Sequence, residues 1–178
     1  MPRPSRSRTL DTLPLPLTLA LAIAILAPED ARAQDQIGIA VGATPEAVAL
    51  EDLEGNPVSL ADYIGKKPVL LEFWATWCPL CKALEPSMQA AFDEYGDRVE
   101  FLIIAVAVNQ TRRRVGRHAA EHQMPGQVLW DGEGAAVRAF MAPSTSYVVV
   151  LRADGRVAYT GVGEDQDIEA AIAKAIGR

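Results

Sequence analysis

The feature that most constrains the fold is a pair of cysteines placed where an apolar strand gives way to a helix. The run VLLEFW, residues 69–74, is apolar on both faces apart from Glu72, as in a strand inside a covered sheet. Residues 82–95 then carry apolar side chains at helical spacing. Cys78 and Cys81 are the only cysteines of the chain. We therefore expect them at the end of a buried strand and in the first turn of a helix.

The remaining sequence continues this alternation of strands and helices. The predicted order is β-hairpin, β, α, β, α, β, α, β-hairpin and α, with turn signals at residues 54–57 and 153–155 inside the two hairpins. This order predicts an α/β fold, a three-layer sandwich whose mixed central sheet is flanked by helices. The first hairpin is an N-terminal extension of a single domain at residues 46–178, which follows a flexible lead-in at residues 34–45.

The first 33 residues have the pattern of a secretory signal peptide. Three arginines precede an apolar run at residues 13–27, and Ala31-Arg32-Ala33 offers a cleavage site after its last residue. Pro14 and Pro16 interrupt the apolar run, which argues against the alternative of an uncleaved membrane anchor. We expect an exported protein, periplasmic or otherwise outside the cytoplasm, where disulfides persist.

A cysteine pair in such a protein has several possible uses. Zinc usually takes four ligands, and His118 and His122, spaced i and i+4 on a predicted helix, are interpreted as surface residues far along the chain. Covalent haem needs a histidine directly after the second cysteine, where this chain has Lys82. We expect no metal and no cofactor. A structural disulfide stays open as an alternative, although such a short loop stabilises little.

Redox chemistry is the use that the position of the cysteines favours. The unpaired N–H groups and the positive dipole end of a helix N-terminus stabilise an anion, and they lower the pKa of a thiol. Cys78 is expected to be more exposed and to attack first, and Cys81 to resolve the mixed disulfide. Pro79 is well tolerated in a first helical turn. Burial would raise the pKa of Glu72, which could then relay a proton to or from Cys81.

The segment LLEFWATWCPLCKALEP resembles the TlpA/ResA-type family of thioredoxin-like proteins, and the resemblance extends over about residues 44–178. It implies a thioredoxin-like fold and a thiol-disulfide oxidoreductase in which Cys78 attacks, Cys81 resolves and Glu72 stands at the position of the buried acid. Members are usually exported or membrane-anchored reductants of protein disulfides, several of them in cytochrome c maturation. A membrane protein would return electrons to the site, with no cofactor.

The same resemblance indicates which residues contact the substrate and where this chain departs from the family. Trp74 and Trp77 flank the site, and Pro79 and Leu80 separate the cysteines. The family also places a cis-proline against the disulfide just before a later strand. Pro143 is our choice for that position, with Ser144 as the alternative, because the strand comes later than the family spacing. Relatives often carry a glutamate three residues after the second cysteine, where this chain has Leu84, followed by Glu85.

Other function classes fit less well. The net charge of −6 at pH 7 gives no basic surface for nucleic acid, so protein disulfides and dithiols are the expected partners. A thiol peroxidase of related fold would have Thr or Ser three residues before its cysteine, where this chain has Ala75. A non-catalytic binding domain with a structural disulfide is a further alternative. The dipeptide between the cysteines lacks a basic or histidine residue, which favours a reductase.

Overall fold

The sheet and helices come from a computed structural model that describes residues 37–177; the predicted signal peptide lies outside the described residues. Strands and helices alternate in the predicted order. The strands are β1 Ala49–Glu51, β2 Pro57–Ser59, β3 Val69–Trp74, β4 Glu100–Val106, β5 Gln127–Asp131, β6 Tyr147–Leu151 and β7 Val157–Val162. The helices are α1 Pro79–Tyr95, α2 Arg112–His122, α3 Ala135–Ala139 and α4 Ile168–Ile176.

The strands form one mixed sheet in the order β2-β1-β5-β4-β3-β6-β7. The inner strand β3 runs parallel to β4 and antiparallel to β6. The N-terminal hairpin β1–β2 extends the sheet beyond β5, to which β1 is antiparallel. This arrangement confirms the predicted α/β sandwich with an N-terminal hairpin, and it places the end of β3 near the middle of the sheet.

Alternation along β3 assigns its side chains to two different cores. Leu70 and Trp74 belong to the core that contains the buried faces of α1 and α4. Leu71 and Phe73 belong to the opposite core, which includes α3. Successive strand residues point to opposite faces of a sheet, so Glu72 shares the α1 face with Leu70 and Trp74. The one carboxyl of this strand is therefore directed into the layer that carries the cysteines.

Helix α1 begins immediately after Cys78, so the cysteines lie at its first turn, as expected. Cys78 is its N-cap and has extended backbone angles, while Pro79 occupies the first helical position, where it loses no hydrogen bond. Its inner face is packed against the sheet through Cys81, Leu84, Met88, Ala91 and Tyr95. None of the helices within residues 37–177 is both long and apolar enough to cross a membrane.

Residues 37–45, the described part of the predicted lead-in, lie against the domain. The Ile39 side chain is only 6% exposed, and its N–H donates to Phe140 O at 3.1 Å and to the Tyr147 hydroxyl at 3.0 Å. Gly42 N donates to Val157 O at 2.8 Å. These bonds connect the segment to β6 and β7, so its contacts are those of a packed part of the fold.

Candidate redox site

The two cysteines form a disulfide at the N-terminal end of α1. Cys78 and Cys81 are linked through their sulfur atoms, with Cα atoms 5.3 Å apart. The Cys78 sulfur also accepts a hydrogen bond from Cys81 N at 3.0 Å, so it caps the helix. Cys78 is 5% exposed and Cys81 1% exposed. The helix therefore directs backbone N–H groups toward the more accessible of the two sulfur atoms.

The loop that leads from β3 to the disulfide is held by the segment that follows β4. Thr76 N donates to the Gln110 side-chain oxygen at 2.9 Å, and the Gln110 amide nitrogen donates to Val106 O at 2.6 Å. The indole N–H of Trp77 donates to Val108 O at 2.7 Å. Because both strands end at this edge of the parallel pair, neighbouring loops can fix the position of Cys78.

A cavity of about 210 Å³ lies beside the disulfide. It is lined by Trp74, Ala75, Thr76, Trp77, Cys78, Pro79, Lys82, Glu85, His118 and His122. Three of the four expected neighbours of the cysteines thus lie on its wall, and Leu80, 40% exposed, lies outside the lining on the same helical turn. Cys81 is also absent from the lining, so a molecule in this cavity reaches Cys78 first.

Glu72 is buried, as its apolar sequence neighbours indicated. Its side chain is 3% exposed, and its Oε1 atom has no hydrogen-bond partner. Removal from water disfavours the charged carboxylate and raises its pKa to about 8, and the nearby charge of Glu85 adds to this shift. At neutral pH the carboxyl is therefore largely protonated and able to give up a proton when a base forms near it.

The prediction of a cis peptide bond at Pro143 is wrong, because no peptide bond within residues 37–177 is cis. Pro143 and the alternative Ser144 are both exposed, and neither lines the cavity. The residue directly before β6 is Ser146, which is fully buried and has a left-handed φ of 61°. Two residues, Ser144 and Thr145, separate Pro143 from it.

Ser146 is held in place by four hydrogen bonds to its own atoms. Its N–H donates to Phe73 O at 2.8 Å, next to the end of β3. Its hydroxyl and carbonyl oxygens accept from Gly163 N at 3.1 and 3.3 Å, and the carbonyl also accepts from the Gln166 side chain at 3.0 Å. The segment that leads into β6 is thus fixed by polar contacts to the end of β3 and to the residues that follow β7.

Sequence reasoning missed the histidines of α2. Both were interpreted as surface residues: His122 is exposed, whereas His118 is partly buried and its ring centroid lies 5.0 Å from that of Trp74. Their i, i+4 spacing indicates that the two side chains lie on the same face of α2. Only the packing of α2 beside β3 and α1 shows that this face borders the Cys78 cavity. In the part of the chain that the structure describes, no three acidic, histidine or cysteine side chains are grouped to hold a metal.

A dithiol-disulfide pair at the start of the helix that follows the inner strand β3 defines a thioredoxin-like redox protein. A profile of the Redoxin family matches residues 40–176, and the chain belongs to that family. The thiol-disulfide oxidoreductase ResA of Geobacillus kaustophilus is 30% identical over 138 residues, which cover 76% of this chain and 78% of that protein. The thioredoxin-like protein YneN of Bacillus subtilis is 30% identical over 119 residues, 66% of this chain and 69% of its own.

The fold has the same likeness to solved structures. The structure of a secreted disulfide oxidoreductase of Mycobacterium tuberculosis superposes with a TM-score of 0.61 and covers 72% of this chain and 94% of its own, at 24% identity. The expected resemblance to ResA-type proteins is confirmed, and the protein is a thiol-disulfide oxidoreductase of this type.

Proposed function

We propose that this protein is an exported reductase of protein disulfides, in which Cys78 attacks the substrate and Cys81 resolves the mixed disulfide. One observation carries the proposal: the Cys78 sulfur caps α1, accepts the Cys81 N–H and lines an accessible cavity. A helix N-terminus stabilises a thiolate through its N–H groups and its dipole. Cys81 lies one turn deeper, where it can reach Cys78 but not a bulky substrate.

The proposed cycle balances without a cofactor. The Cys78 thiolate attacks one sulfur of a substrate disulfide, forms a mixed disulfide and releases the other substrate sulfur as a thiolate. Cys81 then loses its proton and attacks the Cys78 sulfur, which closes the enzyme disulfide and releases the second substrate sulfur. Two electrons pass to the substrate, and its two thiolates take up the two protons that the enzyme thiols lost.

Glu72 is proposed to take part in the second step of this cycle. It lies on the sheet face that carries α1, it is buried, and its Oε1 has no partner. A carboxyl whose pKa is raised to about 8 exchanges protons readily near neutral pH. We propose that the fraction of this carboxyl that is ionised near neutral pH accepts the Cys81 proton during resolution and passes it to the substrate thiolate that leaves.

Trp77 and Leu80 are proposed to contact the substrate protein around the disulfide. They are 42% and 40% exposed, and both lie within two residues of Cys78. Trp74 and Pro79 would form the cavity wall against which the substrate chain lies. Apolar side chains this exposed beside a reactive sulfur suit a partially unfolded or extended substrate polypeptide.

Export, re-reduction by a membrane protein and work in cytochrome c maturation complete the proposal. Export is supported by the basic, apolar and small-residue pattern of residues 1–33. The related protein from Mycobacterium tuberculosis is described as secreted. Each turnover leaves Cys78 and Cys81 oxidised, so a donor must return two electrons to them, and we assign that role to a membrane protein.

Reduction of insulin in the presence of dithiothreitol tests the nucleophile. Cys78→Ala is expected to lose the catalysed rate, because no thiolate remains at the cavity. Wild-type rates from this variant would refute the assignment. Leu80→Ala serves as a matched surface change that keeps both thiols, and it is expected to alter substrate affinity rather than abolish turnover.

Trapping tests the order of attack. Cys81→Ser leaves Cys78 able to form a mixed disulfide that cannot be resolved, so substrates are expected to accumulate as covalent adducts on non-reducing gels. The Cys78→Ser variant, with Cys81 intact, is the control and is expected to trap much less. Equal trapping by both variants would show that the deeper cysteine attacks as well.

A further inference from the structure

The histidine pair of α2 forms one wall of the cavity that contains Cys78. The His118 and His122 rings are stacked, with centroids 3.9 Å apart and planes inclined by 13°. His118 also packs against Trp74, the last residue of β3, at 5.0 Å between centroids. Trp74, Cys78 and both histidines line the same space, so an imidazole and the attacking sulfur border one small cavity.

Hydrogen bonding distinguishes the two imidazoles. Nδ1 of His122 lies 2.9 Å from His118 O, a bond that holds its ring against the helix. Nε2 of His118 is shielded from solvent and has no hydrogen-bond partner in this oxidised form. A shielded ring nitrogen without a partner costs free energy, and a nearby proton donor or anion would relieve that cost.

Several charged groups face His118 from the surrounding elements. Helix α1 contributes Lys82 and Glu85 to the cavity wall, and α2 contributes Arg114, Glu121 and His122 around the ring. From β3, Trp74 covers the ring, and the buried Glu72 lies close enough to Glu85 for their charges to interact.

The charge state of His118 follows from these neighbours. Burial and the charge of His122 lower its pKa, Glu85 and Glu121 oppose that effect, and Arg114 adds to it. In the oxidised protein the ring is therefore mostly neutral at pH 7. A negative charge that appeared in the cavity would favour its protonated form.

We propose that His118 exchanges a proton with the Cys78 thiol across this cavity, so that the reduced enzyme holds a Cys78 thiolate beside a His118 imidazolium. The inference rests on the proposed attack by Cys78 and adds the group that activates it. His122 fixes the position of the His118 ring by stacking, and Trp74 keeps water from one side of it.

The proton balance of the first step follows directly. In the reduced enzyme the Cys78 proton moves to Nε2 of His118, and the thiolate that forms attacks the substrate disulfide. The substrate sulfur that leaves as a thiolate then takes the proton back from His118. The imidazole is neutral again in the mixed disulfide and in the oxidised enzyme, and the two electrons pass through the sulfur atoms alone.

NMR titration of the histidine rings in the wild-type protein is the first test. The pKa of His118 is expected to be higher in the reduced than in the oxidised form by about one unit, because a thiolate within the same cavity favours the imidazolium. In Cys78→Ser, which forms no thiolate at this position, the His118 pKa should not show this rise under reducing conditions. An identical His118 pKa in both forms would overturn the proposal, and this experiment needs no histidine substitution.

Alkylation of Cys78 by iodoacetamide at pH 6 is the second test, made in the Cys81→Ser background so that one thiol reacts. His118→Gln is expected to slow the reaction about tenfold, the effect of raising a thiol pKa by one unit. Arg113→Gln is the matched control, because Arg113 is exposed on the same helix and is neither in the cavity wall nor among the charged groups around His118. Its rate should equal that of the parent.

The alkylation rates distinguish failure of the Cys78 assignment from failure of the His118 assignment. Alkylation of the parent no faster than of the urea-unfolded chain would refute Cys78 as an activated nucleophile, and the proposed function with it. Fast alkylation that His118→Gln leaves unchanged would refute only the role of His118. If His122→Gln slowed the alkylation of Cys78 and His118→Gln did not, the role of His118 would also be refuted, because His122 would then carry the proton.

Discussion

At the scale of single residues, the buried carboxyl of Glu72 couples the stability of the fold to pH. Its pKa rises from an ordinary 4.5 to about 8 on folding, because burial disfavours the charge. Between these values the folded chain binds more protons than the unfolded chain, so the free energy of unfolding falls as the pH rises. The fold is stabilised by the neutral carboxyl at low pH and loses that contribution as the pH approaches and passes 8.

Glu72→Gln is expected to remove this pH dependence, because an amide of nearly the same shape carries no charge at any pH. Under oxidising conditions the variant should match the wild type near pH 5. Near pH 9 it should exceed the wild type by an amount on the order of a few kcal/mol. Urea unfolding at the two pH values measures the difference.

Glu94→Gln, an exposed carboxyl on the same helix layer, is the control and should follow the wild type at both pH values. If the free energies of unfolding of Glu72→Gln and the wild type changed equally with pH, the Glu72 carboxyl would not be neutral in the folded chain. The proton exchange with Cys81 would then lose its support.

At the scale of elements, the N-terminus of α1 serves both the fold and the chemistry. Most α-helices need an N-cap acceptor, and here the acceptor is the sulfur of Cys78. Asp167 does the same for α4, with its carboxylate accepting from Ala170 N at 2.8 Å. A reactive cysteine at this position is therefore also the residue that starts the helix, and its substitution affects stability and activity together.

Cys78→Ala and Cys78→Ser are expected to differ in stability once the disulfide is absent. Serine can accept the Cys81 N–H and alanine cannot, so the alanine variant should be less stable by about 1 kcal/mol. Urea unfolding of both variants in dithiothreitol measures the difference. The difference in stability between Asp167→Ala and Asp167→Ser gives the reference value for an ordinary N-cap in the same chain. If the two Cys78 variants were equally stable while Asp167→Ala was less stable than Asp167→Ser, a capping role for the Cys78 side chain would be contradicted.

At the scale of the whole molecule, residues 37–43 close the side of the sheet opposite the redox helix. Ile39 belongs to the core that contains Phe73, Phe140 and Tyr147. Phe73 precedes Trp74, whose side chain reaches the Cys78 cavity on the other face. The packing of the N-terminal segment therefore supports the strand from which the redox loop departs.

Ile39→Ala is expected to destabilise the domain by about 2 to 3 kcal/mol, the usual cost of removing a buried aliphatic side chain. Val41→Ala, at a position 55% exposed, should change the unfolding free energy by less than about 0.5 kcal/mol. Thermal and urea unfolding of the two variants compare them. A negligible effect at Ile39 would restore the interpretation of this segment as a flexible lead-in.

The elements themselves could be predicted because local pattern and tertiary environment agree. The strand at residues 69–74 has the predicted bounds, because its apolar run begins directly after Pro68 and ends at Trp74, before the polar redox loop. The start of α1 at the cysteines was predicted from Pro79 and from the end of the preceding strand, although the apolar period itself begins only after Cys81. The cis bond expected at Pro143 is absent, and the turn around Pro143 has left-handed backbone at Met141 and Ser146, which no sequence period indicates.

The sequence by itself determined the α/β order, the position of the cysteines at a strand-to-helix junction and the burial of Glu72, because each depends on neighbours within a few residues. Only the tertiary structure decided that His118 borders the Cys78 cavity and that Ser146 precedes β6 beside the end of β3. Helix packing and turn geometry join positions some 40 to 70 residues apart. Periodicity within one segment shows which residues lie on the same face of its helix. It does not show which distant segment packs against that face.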